Sequence, residues 1–80
     1  MKTFNDLKSG DYIYELDVVS CNVECIKVKD CFHAFEKSKV LCLENISPFY
    51  VNKNNSFINI LDVIYYCDKE ECLDKLSKLI

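Results

Sequence analysis

The sequence predicts an α+β fold that is mostly β, a small and strongly bent antiparallel barrel of about five strands with one C-terminal helix packed on it. Three observations carry that expectation. The only glycine, Gly10, sits in Ser9-Gly10-Asp11 and leads straight into Tyr12-Ile13-Tyr14, an aromatic and β-branched run that suits a pleated surface. Ile26-Lys27-Val28-Lys29 alternates apolar and charged positions, the mark of a strand buried on one side. The chain then ends on Asp68-Lys69-Glu70-Glu71, an acidic cap, followed by Cys72, Leu73, Leu76, Leu79 and Ile80 at helical spacing.

Residues 1 to 6 read as a short helical turn or a loose arm, with Phe4 and Leu7 as apolar contacts. Gly10 supplies the backbone freedom of a tight turn, and Asp11 can bond its own backbone there. In the strand that follows, Tyr12, Tyr14 and Leu16 fall on one side and Ile13, Glu15 and Asp17 on the other. Asp17 to Asn22 is placed as a hairpin connection.

Val23 to Phe32 reads as a second strand with a one-residue slip between Cys25 and Ile26, because Val23 and Cys25 share the parity of the lysines. A slip of that kind implies a bulge or a sharp bend, by which a small barrel turns a corner. His33 to Ser38 ends the strand in a turn, and Lys39 to Glu44 forms a third strand. Pro48 breaks it, since proline offers no ladder N–H. Phe49, Tyr50 and Val51 make a short edge strand, and Asn52-Lys53-Asn54-Asn55-Ser56 is the strongest loop signal. Phe57 to Tyr66 is nearly continuous apolar sequence, which predicts a strand covered on both faces, with the final helix as the cover. In that helix Asp68 and Glu71 have the spacing of a capping box, and Glu71 precedes Lys75 by four residues in the favourable order.

Leu7-Lys8-Ser9-Gly10-Asp11-Tyr12-Ile13-Tyr14, taken with Val63-Ile64-Tyr65-Tyr66-Cys67-Asp68-Lys69-Glu70-Glu71-Cys72-Leu73, resembles a loose group of short proteins from phages and mobile elements of Bacteroidetes-type gut bacteria. The resemblance covers about a quarter of the chain. It implies a Src-homology-like small barrel whose last strand runs into an acid-capped helix. It supplies no catalytic residues.

Composition bounds function further. Residues 1–80 have the size of one domain, and half of them are apolar, a density far from the disordered range. Ten lysines, no arginine and a net charge of −3 argue against sequence-reading nucleic-acid recognition, which relies on the planar guanidinium fork. No apolar run approaches the ~20 residues that cross a bilayer, and Lys2, Asp6 and Lys8 stand where a signal peptide is apolar. The expectation is a cytoplasmic protein, with its six cysteines as thiols. Cys21, Cys25, Cys31, Cys42, Cys67 and Cys72 contain no Cys-x-x-Cys, so neither a metal site nor a cofactor is expected, although Cys21, Cys25, Cys31 and His33 are the set that could meet at one. His33 is the sole histidine and has no recognisable nucleophile partner, so no catalytic residue is assigned and the chain is not expected to be an enzyme.

One stretch stands out by charge. Residues 27–53 carry five lysines against three acids, while both flanks are acidic. Lys27, Lys29, His33, Phe35, Lys37, Lys39, Phe49, Tyr50 and Lys53 are therefore the candidate binding residues, cations interleaved with aromatics. The bland alternative is that these lysines protect strand edges. The function expected is a non-catalytic binding module that engages a host protein. Sequestering an anionic small molecule such as a nucleotide signal is the alternative, and a structural or virion-associated role is a further one. A homodimer is expected because so small a body struggles to bury this much apolar surface alone.

Overall fold

The computed structural model describes residues 1–80 and is mostly β. After a 3-10 turn at Phe4–Asp6 come seven strands: β1 (Tyr12–Asp17), β2 (Asn22–Lys27), β3 (Asp30–Phe35), β4 (Ser38–Cys42), β5 (Phe49–Asn52), β6 (Phe57–Ile60) and β7 (Val63–Tyr66). A single helix, α1 (Lys69–Leu79), closes the chain. The strands form two antiparallel sheets, one ordered β2-β1-β7-β6 and the other β3-β4-β5. No strand pairing joins the two, so the expected barrel is replaced by two open sheets, and the expected five strands by seven.

The extra strands come from two places where apolar sequence conceals a break. Val23 to Phe32 is two strands, not one. Pairing with β1 runs without a slip through Tyr14↔Cys25 and Ile13↔Ile26, so the expected bulge at Cys25–Ile26 is absent. The chain changes sheet three residues later, at Val28-Lys29. There Val28 N–H donates to Asp11 at 2.7 Å and Lys29 N–H donates to Cys42 at 2.9 Å, so each residue bonds to a different sheet. The irregularity in register lies between His33 and Phe35 instead. Phe57 to Tyr66 is likewise a hairpin, in which Ile60 pairs with Val63 across Leu61-Asp62.

The two central strands of the four-stranded sheet, β1 and β7, are covered on both faces, which explains why β7 is apolar on both parities. Ile13, Ile26, Val63 and Tyr65 turn inward and join Leu41, Leu43 and Val51 in the main core. Leu16, Ile64 and Tyr66 turn outward and pack under Cys72 and Leu76 of α1. Fully burying a side chain such as Ile13 or Leu16 contributes about 1.5–3 kcal/mol over leaving it exposed, so β1 is held in register from both sides. The helix therefore does cover the last strand, as the doubly apolar sequence requires.

Its contact stripe is narrower than the spacing predicts. Cys72 is buried and Leu76 half-buried, but Leu73, Leu79 and Ile80 are exposed, so α1 seats on β1 and β7 along one edge of the predicted stripe. The capping box is also incomplete. Asp68 accepts from Glu70 N–H at 3.2 Å, whereas Glu71 turns away from the cap and accepts from Ser56 Oγ at 3.0 Å.

At the other end of the chain the open choice for residues 1 to 6 resolves to a docked turn. Phe4 and Leu7 are buried, and the Phe4 and Asn5 amides donate to Asn55 and Lys53 beyond β5.

Candidate functional site

The nine candidate residues divide among five locations. Phe35 and Tyr50 meet on the outer face of the three-stranded sheet, their ring centroids 5.6 Å apart. Register places Phe32, Val40 and Tyr50 in one row across that face. Phe32, Phe35 and Tyr50 are 47%, 63% and 59% exposed, so the row is a solvent-facing aromatic patch. Nothing in the sequence places Val40 there, because Val40, Leu41 and Cys42 are apolar on both parities. The outward set is readable only once β3 is known to start at Asp30.

Phe49 has the opposite parity to Tyr50 and turns inward, where its ring lies 5.6 Å from that of Tyr65. Lys39 is committed to the fold. Its Nζ donates to the carbonyls of Leu7 at 2.7 Å, Phe4 at 3.0 Å and Asn5 at 3.4 Å, tying the N-terminal turn to β4. Those carbonyls end a turn whose own hydrogen bonds are used up, so a cation is the natural partner.

Lys53, His33 and Lys37 gather at the β3–β4 turn. Lys53 Nζ lies against His33 Nδ1 and donates to the Glu36 carbonyl at 3.3 Å, while Lys53 N–H donates to the Lys37 carbonyl at 2.9 Å. Lys27 and Lys29 lie at the opposite end of β3, where the chain crosses between sheets. They line an open groove of about 390 Å³ with Ser9, Gly10, Val28 and Glu44. Six strand residues separate the two lysine groups, a span of about 20 Å, so they do not act on one small ligand together.

All six cysteines are free thiols. Cys25 lies exposed on β2, Cys21 sits in the β1–β2 turn, and Cys31 faces the core from β3, so the set considered for a metal is dispersed. No group of three or more His, Cys, Asp or Glu side chains comes together at metal-binding distance. Cys67 and Cys72 are buried, and burial pushes the Cys67 thiol up to about 12 and raises that of Cys72 as well. Thiols held neutral in this way are packing groups and poor nucleophiles.

The arrangement thus offers surfaces for binding, of which the aromatic face is the largest group of exposed rings. Comparison with known proteins adds no relative: no family model, no curated protein and no solved structure matches this chain.

Proposed function

We propose that this chain is a non-catalytic binding module of the phage or mobile-element accessory type, acting in the cytoplasm on a host protein through the outer face of the β3–β4–β5 sheet. The observation that carries the reading is an asymmetry of cover. The four-stranded sheet has α1 over its outer face, whereas the three-stranded sheet has nothing over Phe32, Phe35 and Tyr50. Aromatic side chains of this kind dominate protein–protein interfaces, because each buries a large area at little conformational cost. About half of each ring is exposed, which amounts to roughly 300 Å² of contiguous aromatic surface, the range in which a patch is commonly functional. Lys37, exposed in the β3–β4 turn two residues after Phe35, sets positive charge at one end of it, so the complementary partner has an apolar centre and an acidic margin.

The test is capture with a matched variant. The wild-type chain should recover one bacterial protein at stoichiometric level, cross-linked to β3 or β5, and the pair Phe35→Asp with Tyr50→Asp should lose it without a drop in melting temperature. Light scattering serves as the counter-test. If the wild-type chain is a dimer that the same pair of substitutions dissolves, the face joins two copies of this chain and the host-protein reading fails.

A second reading rests on the groove beside Gly10, where Lys27 and Lys29 point into one depression. Two ammonium groups there suit an anionic small molecule such as a nucleotide signal. A nucleotide library screened by melting temperature should then give a single large shift that Lys27→Gln with Lys29→Gln removes.

A further inference from the structure

The inner face of the four-stranded sheet is not wholly covered by the other sheet. Past Ile26 and Tyr65 it faces only the irregular segment 43–48, which leaves a cleft of two compartments. The smaller, about 210 Å³, is lined by Glu15, Glu24, Ile26, Leu43 and Tyr65 among others. The larger, about 560 Å³, is apolar and lies between Pro48 and Phe49 on one side and Ile60, Leu61 and Val63 on the other. Ile46 and Tyr65 line both, so the two are neighbours that share a wall.

Two features of this cleft work against the stability of the free protein. Glu15 and Glu24 are direct cross-strand partners in β1 and β2, and neither has an ion-pair partner. Like charges directly opposite one another destabilise a sheet, and no lysine lines either compartment to relieve them. Leu61, at the lip of the apolar compartment, is held at φ +56 and is 96% exposed. A two-residue hairpin turn normally gives such a position to glycine, asparagine or aspartate, so leucine costs conformational energy and gains no burial there. Unfavourable backbone geometry of this kind concentrates at functional positions.

We propose that the cleft binds a segment of a partner protein that presents an apolar side chain beside a Lys or Arg. The apolar side chain occupies the larger compartment against Phe49, Ile60 and Val63, with Leu61 closing over it. The cation enters the smaller compartment between Glu15 and Glu24, converting their mutual repulsion into attraction for the ligand. Tyr65 lines both compartments, and its hydroxyl, which keeps its proton far above neutral pH, bonds Glu15 and so holds that carboxylate at the junction. The occupant is a peptide because the apolar part is open along its length and the acidic part is small, which suits a side chain better than a whole organic ligand. This cleft lies on the inner face of the sheet that α1 covers, and it is distinct from the aromatic face of β3–β4–β5.

Selection of a random displayed peptide library on the full chain tests the proposal. Enriched peptides should carry Lys or Arg within two residues of Leu, Ile or Phe. The double variant E15Q/E24Q should weaken a selected peptide by about tenfold or more while keeping its fold, since Gln matches Glu in shape and removes the repulsion. Leu61→Asn should raise the melting temperature and weaken the same peptide, a combination that a purely structural leucine does not give. Failure to enrich any peptide, enrichment without a basic residue, or binding insensitive to E15Q/E24Q would each overturn the proposal. Binding abolished by Phe35→Asp would overturn it as well, because the peptide would then occupy the other sheet.

Discussion

Gly10 is held at φ +92, and a methyl group placed there would meet nothing within 4 Å. Its requirement is therefore one of backbone conformation alone. Gly10→Ala is expected to destabilise by about 1–2 kcal/mol, read as a fall in melting temperature, and trimming neighbouring side chains should not restore it. The cysteines separate just as clearly by environment. Cys25 is exposed, whereas Cys67 lies in the main core and Cys72 on the buried side of α1. A thiol reagent applied to the native protein should modify Cys25 first. Cys67 and Cys72 should react only at the rate of opening, and mass spectrometry of digests taken over time would reveal the order.

At the scale of elements, two contacts hold the chain ends to the sheets. Ser56 Oγ donates to Glu71 Oε2 at 3.0 Å, while Glu71 Oε1 is buried with no partner. Ser56→Ala removes the remaining donor, so about 1–3 kcal/mol should be lost, and thermal melting of the variant measures it. Lys39 makes the matching tie at the N-terminus, and Lys39→Met should leave three carbonyls without a cation. Hydrogen exchange should then rise at the Phe4 and Asn5 amides while the β1–β2 amides stay protected. These ties were invisible in the sequence because they join residues fifteen and more than thirty positions apart. What was legible was local: the turn at Gly10, the helix start at Asp68, the break at Pro48 and the edge strand at Phe49–Asn52. The two missed breaks have one cause. Val28-Lys29 and Leu61-Asp62 reverse or redirect the chain without Gly, Pro or Asn, so apolar periodicity ran through them. Half of the candidate site was legible for the same reason. Phe35 and Tyr50 face out together, but choosing them over Phe49 and Lys39 needed the strand register, which the missed break at Val28-Lys29 had displaced.

Over the whole molecule, α1, the four-stranded sheet and the three-stranded sheet stack as three layers, and the middle layer carries ionisable groups that must stay neutral. Tyr65 and Cys67 both belong to the main core that joins the sheets. Burial, reinforced by the Glu15 carboxylate, pushes Tyr65 from 10.0 to about 12, and burial pushes Cys67 from 9.0 to about 12. Both groups are charged only when deprotonated, and both hold their protons more tightly in the folded chain than in the unfolded one. Their contribution is therefore fully present below pH 9.0, the ordinary thiol value. Between that value and about 12 the unfolded chain releases protons that the folded chain retains, so stability falls as pH rises. Urea midpoints should hold steady from neutral pH to the thiol value and then decline, first through Cys67 and then also through Tyr65. Cys67→Ala should shrink the earlier part of that decline to what the raised thiols of Cys31 and Cys72 contribute, and leave the later part, because the tyrosine still titrates on its own. A midpoint that stays level through the alkaline range in the wild-type chain would mean that water reaches these groups, and that the two sheets are not closed on one another around them.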